Sequence, residues 1–118
     1  MNIKDIVVGT PITLHVKVGI KTIDLPVRVS ELSGTEQRQI DTYMQRQGIS
    51  GVVLDVYKKD NQILSLSNKD YQITASVIKD SKHHSFEVDE VNTVRVSSSS
   101  AYYIIRFKQD EANSSNRR

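Results

Sequence analysis

The sequence predicts a mainly β domain: a small antiparallel split β-barrel of about six to seven strands with one inserted helix. Three observations carry that prediction. Apolar residues recur at every second position in several short runs, the runs are joined by short polar turns, and one stretch between them loses the alternation and takes up helical spacing. Many strands with hairpin-length connections in one small chain favour an antiparallel barrel or sandwich. Closure into a barrel also removes the bare strand edges through which such proteins aggregate.

The first strand is "ITLHVKV", where Ile12, Leu14, Val16 and Val18 alternate with Thr13, His15 and Lys17. Gly19 marks a tight hairpin. In "TIDLPVRVSEL" the residues Ile23, Leu25, Val27 and Val29 share one face, while Asp24, Pro26, Arg28 and Ser30 share the other. Proline cannot donate to a ladder, so Pro26 predicts an edge strand or a bulge. The stretch "SGTEQRQIDTYMQRQG" then reads as a helix over residues 34–48. Ser33 and Glu36 have the spacing of a capping box, Ile40, Tyr43, Met44 and Gln47 form one stripe, and Gly48 is the stop. Such a helix is expected to cover one end of the barrel. Further strands are "GVVLDVY", "QILSL" beyond the "KKDN" turn, "YQITASVIK", "HSFEV" running on to "NTVRV", and "AYYIIRFK".

A chain of 118 residues suits a single core and buries roughly two-thirds of the surface its unfolded form exposes. With 37% hydrophobic and 25% charged residues, the composition is that of a folded protein rather than a disordered one. The absence of cysteine excludes disulfides, thiolate nucleophiles and Cys-ligated metal centres, so a cytoplasmic location is the default expectation. The start "MNIKDIVVG" is too short for a signal-peptide core, and no apolar run reaches membrane length. No membrane span is expected. The net charge is +2, and Arg117 with Arg118 alone contribute that much, which leaves the body near neutral and general nucleic-acid binding unexpected.

Catalytic chemistry finds little to rest on in the linear pattern. His15 falls on the polar face of a strand. His83 and His84, in "KDSKHHSF", sit where a turn meets a strand, and adjacent strand residues point to opposite faces, so the pair does not chelate one metal. Ser97 to Ser100 read as a loop without a nucleophile elbow. Asp55, Asp60, Asp70, Asp80, Asp89 and Glu90 are scattered over turns and outward positions without calcium-loop spacing. The five glycines stand singly, so there is no phosphate-binding or dinucleotide fingerprint. No enzyme activity, no metal and no cofactor are expected.

The chain closes with "AYYIIRFKQDEANSSNRR": a strand, a polar linker and an Asn-Arg-Arg end. This divides the sequence into a barrel domain at 1–108 and a linker at 109–118. From about Ile12 to Arg118, through "GVVLDVYKKDNQILSLSNKDYQITASVIKDSKHHSFEVDEVNTVRV", "YYIIRF" and "NRR", the chain resembles the N-terminal β-barrel domain that precedes the PilZ domain in flagellar-brake-type receptors for cyclic di-GMP. The resemblance implies a non-enzymatic signalling module controlling motility or surface behaviour. It makes Arg118, with Arg117 before it, the opening of the family's RxxxR motif and part of a cyclic di-GMP site. It also implies two partners, a C-terminal PilZ domain and flagellar motor proteins. The second arginine of the motif and the downstream D/N-x-S-x-x-G are not among the 118 residues, and the helix at 34–48 departs from the family's simple loop.

Arginine suits that position because its planar fork binds phosphate or guanine O6 and N7 bidentately and stacks on the base. An alternative function is a free-standing barrel binding single-stranded nucleic acid, for which Tyr102 would stack while Arg106 and Lys108 share its face. A flavin enzyme is a third, resting on fold analogy alone.

Overall fold

The computed structural model describes residues 1–67 and 71–108. Its centre is one antiparallel six-stranded sheet, strongly curled into a half-barrel, with one inserted helix. The strands are β1 (Pro11–Val18), β2 (Lys21–Arg28), β3 (Val52–Asp55), β6 (Gln72–Lys79), β7 (Lys82–Arg95) and β8 (Ala101–Phe107), in the spatial order β2-β1-β6-β7-β8-β3. A small separate hairpin, β4 (Lys58–Lys59) and β5 (Gln62–Ile63), follows β3. The helix α1 spans Gly34–Gln47.

Curling brings the two outermost strands together at one point. Beyond the end of β2, Val29 forms an antiparallel bridge with Leu54 of β3, and the Ser30 N–H donates to the Val53 carbonyl at 2.9 Å. The barrel is thus pinned shut at one end and open along the rest of the β2–β3 seam. Pro26 sits where its missing donor costs nothing, on β2, which ladders only with β1.

The alternation read from the sequence becomes rows of side chains across the sheet. Leu25, Leu14, Ala75 and Phe86 are successive register partners, and all four are buried on the concave face. Phe86 and Phe107 pack with ring centroids 5.3 Å apart and a tilt of 49°. Ile23 departs from its row. It shares the inward phase of Leu25 but is 47% exposed, because β2 is the outer strand and no neighbouring strand covers that end.

The two apolar runs "HSFEV" and "NTVRV" are one strand of 14 residues. Its first half pairs with β6 and its second half with β8, and the change occurs at a bulge between Val88 and Glu90. The extra residue restores the inward phase, so Phe86 and Val88 on one side and Val91 on the other all face the core. His83 and His84 lie at the start of β7 directly after a turn, the junction of turn and strand that the sequence predicts. The turn itself is Asp80–Ser81, both with positive φ, as in the Asp60–Asn61 turn of the small hairpin. Two left-handed residues in a two-residue loop match the right-handed twist of the flanking strands.

The stretch "QILSL", expected as a strand, ladders only over Gln62–Ile63. Beyond it Leu66 enters the main core at 2% exposure, and its N–H and carbonyl both bond to the Thr93 hydroxyl, at 2.8 and 3.1 Å. The Tyr103 hydroxyl accepts from the Tyr57 N–H at 3.2 Å and donates to the Leu64 carbonyl. These side chains supply the partners that a ladder would otherwise provide.

The helix is where the sequence places it, and Gly48 ends it in the left-handed conformation that glycine adopts without strain. Its location differs from the expectation. Ile40 packs with Val94, Tyr102 and Ile104 on the outer face of β7 and β8, flanked by Tyr43 and Met44, while Gln47 of the expected stripe is exposed. Burial on both sides makes "YYII" a continuous apolar run, with Tyr103 and Ile105 inside and Tyr102 and Ile104 under α1. The N-terminal segment packs against the barrel core instead: Ile6 is buried, and Met1 and Ile3 lean on the core around the short helical turn Ile3–Asp5. No helix among the described residues is long and apolar enough to cross a membrane.

Candidate functional site

The two arginines singled out as site residues, Arg117 and Arg118, lie outside the described residues, as do the linker 109–118 and Asp70. The structure does describe the strand that leads towards them. At its end the Lys108 N–H donates to the Glu87 carbonyl at 2.9 Å, and its ammonium lies 3.7 Å from the Glu87 carboxylate. Beside it the Arg106 guanidinium holds Asp89 at 2.8 Å and Glu90 at 3.7 Å across the bulge. The set Tyr102, Arg106 and Lys108, on which stacking of single-stranded bases would depend, is therefore engaged within the domain. Tyr102 is buried under α1, and both cations face carboxylates of β7.

Tyr102 belongs to a polar junction that ties α1 to β8. Its hydroxyl donates to Glu36 Oε2 at 2.6 Å, Ser100 Oγ donates to the same oxygen at 3.0 Å, and Ser33 Oγ donates to Oε1 at 3.2 Å. Ser33 is the N-cap but makes no side-chain bond to a helix N–H, so the expected capping box is replaced by this cluster. The bond from Tyr102, then that from Ser100, holds the Glu36 carboxyl below its ordinary value of 4.5, against a smaller opposing effect of burial. Burial, and then the bond to Glu36, pushes the Tyr102 phenol up. A depressed carboxyl contributes stability that is complete above its unfolded value and lost as pH falls through its folded value. Unfolding by urea between about pH 3 and pH 6 is expected to show stability falling on acidification, with a shallower fall in Glu36→Gln. An identical pH profile in the variant would show that the junction carries no linkage.

A second polar constellation lies on the outer face of the opposite half of the sheet, and it is the strongest candidate site among the described residues. His15, central on β1, has Asp24 of β2 as its register partner, and Ser76 of β6 sits diagonally across from it. Period two turns all three side chains outward, and the ladders bring them together. His15 Nδ1 lies 2.8 Å from Asp24 Oδ1, and Nε2 lies 2.8 Å from Ser76 Oγ. A carboxylate only accepts, so Nδ1 carries a proton and donates to Asp24, and in the neutral imidazole the Nε2 lone pair accepts from the Ser76 hydroxyl. The imidazole is about one-third exposed and the carboxylate about two-thirds exposed.

Around this relay is a depression of about 490 Å³, lined also by Pro11, Thr13, Ile78, His83 and Ser85. Thr13 and Ser85 are the register partners of Ser76 on its two sides, so three hydroxyl residues form one row across β1, β6 and β7. The sequence shows that His15 and Ser76 each point outward. It carries no signal that residues 61 positions apart are neighbours. No group of three or more metal-ligating side chains occurs among the described residues.

No protein-family model matches the chain, and neither does any curated protein or any solved structure.

Proposed function

We propose that this chain is the N-terminal β-barrel module of a cyclic di-GMP receptor of the flagellar-brake type, and that it acts by contact with a PilZ domain following Arg118 and with a motility partner. What supports the reading is the order along the chain, in which β8 is followed by a polar segment and the two arginines. That strand is buried on both faces and held at its end by the Lys108–Glu87 and Arg106–Asp89 contacts, and seven residues separate Lys108 from the "NRR" sequence. In the proposed mechanism Arg117 and Arg118, next in sequence after this strand and the polar segment, take hold of the ligand's phosphates and guanine edges. Ligand occupancy then changes the orientation of the flanking domains. The antiparallel half-barrel is the kind of architecture that the resemblance implies.

Two terminal arginines without a second wall do not make a pocket. Ordering a backbone segment around a ligand costs roughly 1–2 kcal/mol per residue in entropy, and charges that face solvent are screened. Calorimetric titration with cyclic di-GMP is expected to give no saturable binding to residues 1–118 and tight binding to a parent protein that includes the following domain. In the latter, Arg118→Ala is expected to weaken binding about tenfold or more. Tight binding by residues 1–118, or undiminished binding after Arg118→Ala, would place the site elsewhere.

A further inference from the structure

We propose that Ser76 is an activated nucleophile, with His15 as its base and Asp24 as the residue that positions the base, and that it accepts acyl groups from small activated esters. The linear pattern predicts no such chemistry; the relay in the folded sheet is what argues for it. This inference stands apart from the signalling reading, which rests on other residues.

Three features of the geometry support it. The order carboxylate, Nδ1, Nε2, hydroxyl is the one in which a base takes the serine proton while its other nitrogen is held in the required tautomer, and both links are 2.8 Å. The nucleophile lines a depression whose volume, about 490 Å³, lies within the range of small-molecule sites, and Pro11 and Ile78 of the same lining give a short acyl chain apolar contact. Finally, developing negative charge on the ester oxygen has donors at hand. β6 is an interior strand whose N–H groups are committed to its two ladders, but the hydroxyls of Thr13 and Ser85 flank Ser76 at cross-strand spacing, about 4.5–5.5 Å between Cβ atoms.

The reaction balances without any other cofactor. Ser76 Oγ bonds to the ester carbonyl carbon as its proton passes to His15 Nε2, the alkoxide or phenoxide leaves, and the proton goes with it. Water then attacks the acyl-serine, giving its proton to Nε2, and the acid departs as Ser76 recovers its hydrogen. Hydroxyl donors are weaker than a paired backbone N–H hole, and Asp24 is well exposed, so acylation of good leaving-group esters is the expected scope.

The test is incubation of the chain with p-nitrophenyl acetate, followed by intact mass and peptide mapping. One acetyl group per chain on Ser76 is expected. His15→Gln is expected to slow labelling of Ser76 by about 10²-fold. Asp24→Asn is expected to lower the rate constant at saturating ester and leave the half-saturating concentration unchanged. Circular dichroism on each variant separates lost chemistry from lost fold. Because serine and cysteine have similar shapes, Ser76→Cys gives a second reading: its alkylation by iodoacetamide should slow when His15→Gln is added. Acetylation confined to lysines, or Ser76 labelling that is equally fast in His15→Gln, would overturn the proposal.

Discussion

Replacing Phe86 with alanine is expected to lower the unfolding free energy by about 3–5 kcal/mol. The ring is 1% exposed and stands opposite Ala75, the smallest side chain in its row, so its bulk fills the space that alanine leaves. It also holds Phe107, the last residue of β8, through the tilted contact at 5.3 Å. Truncation removes the apolar transfer term and leaves a cavity on the concave face, where neighbouring strands are laddered on both sides and collapse only partly. For a domain of ordinary stability, about 5–15 kcal/mol, this is a large fraction of the total. Urea unfolding should show a much lower midpoint with an unchanged slope. A loss below about 1 kcal/mol would mean that the barrel interior repacks freely around this position.

Ile40→Ala is expected to cost about 2–5 kcal/mol, with a different signature. Ile40 is the only residue of α1 that is fully buried, and it supplies the helix's contact with Val94, Tyr102 and Ile104. A helix of 14 residues is marginal by itself, so its stability comes from that packing. The variant should lose helical dichroism and show fast amide exchange across residues 34–47, while β1, β6 and the first half of β7 keep their protection. Uniform loss of protection across the sheet would show that the outer cluster is part of the barrel's single cooperative unit. With the helix detached, Tyr102 and Ile104 would be left uncovered on the outer face.

The parts of this architecture that were legible in the sequence are those set by local chemistry. Ile12, Leu14 and Val16 alternate because one face of β1 is buried, Pro26 marks an outer strand because it lacks a donor, and Gly48 ends the helix because it tolerates a positive φ. The stretch "QILSL", expected as a strand, ladders over two residues only. Beyond them its polar backbone is satisfied by Tyr103 and Thr93 side chains rather than by a ladder, and "QILSL" has the same apolar content either way. "HSFEV" running on to "NTVRV" is one strand as read, but the bulge at Val88 and Glu90 was hidden, because an extra residue that inverts the phase leaves no mark of its own in the apolar pattern. The helix's place on the outer face was readable only through "YYII", whose unbroken apolar run signals burial on both sides.

By itself the sequence determined the six main strands, where the chain turns between them, that a helix interrupts them, and, up to the bulge in β7, which face of each seeks the core. The tertiary structure decided who meets whom. Period two assigns a side chain to a face but does not name its neighbour across the ladder, and neighbours depend on register. That register is set by hairpin geometry between adjacent strands, and by curling of the whole sheet between distant ones. Asp24 comes to His15 through the first hairpin, whereas Ser76 comes to it only because β6, far along the chain, takes its place beside β1. Glu36 and Tyr102 meet for the same reason. Their contact spans 66 positions and exists only because the core-facing pattern of every strand is satisfied at once.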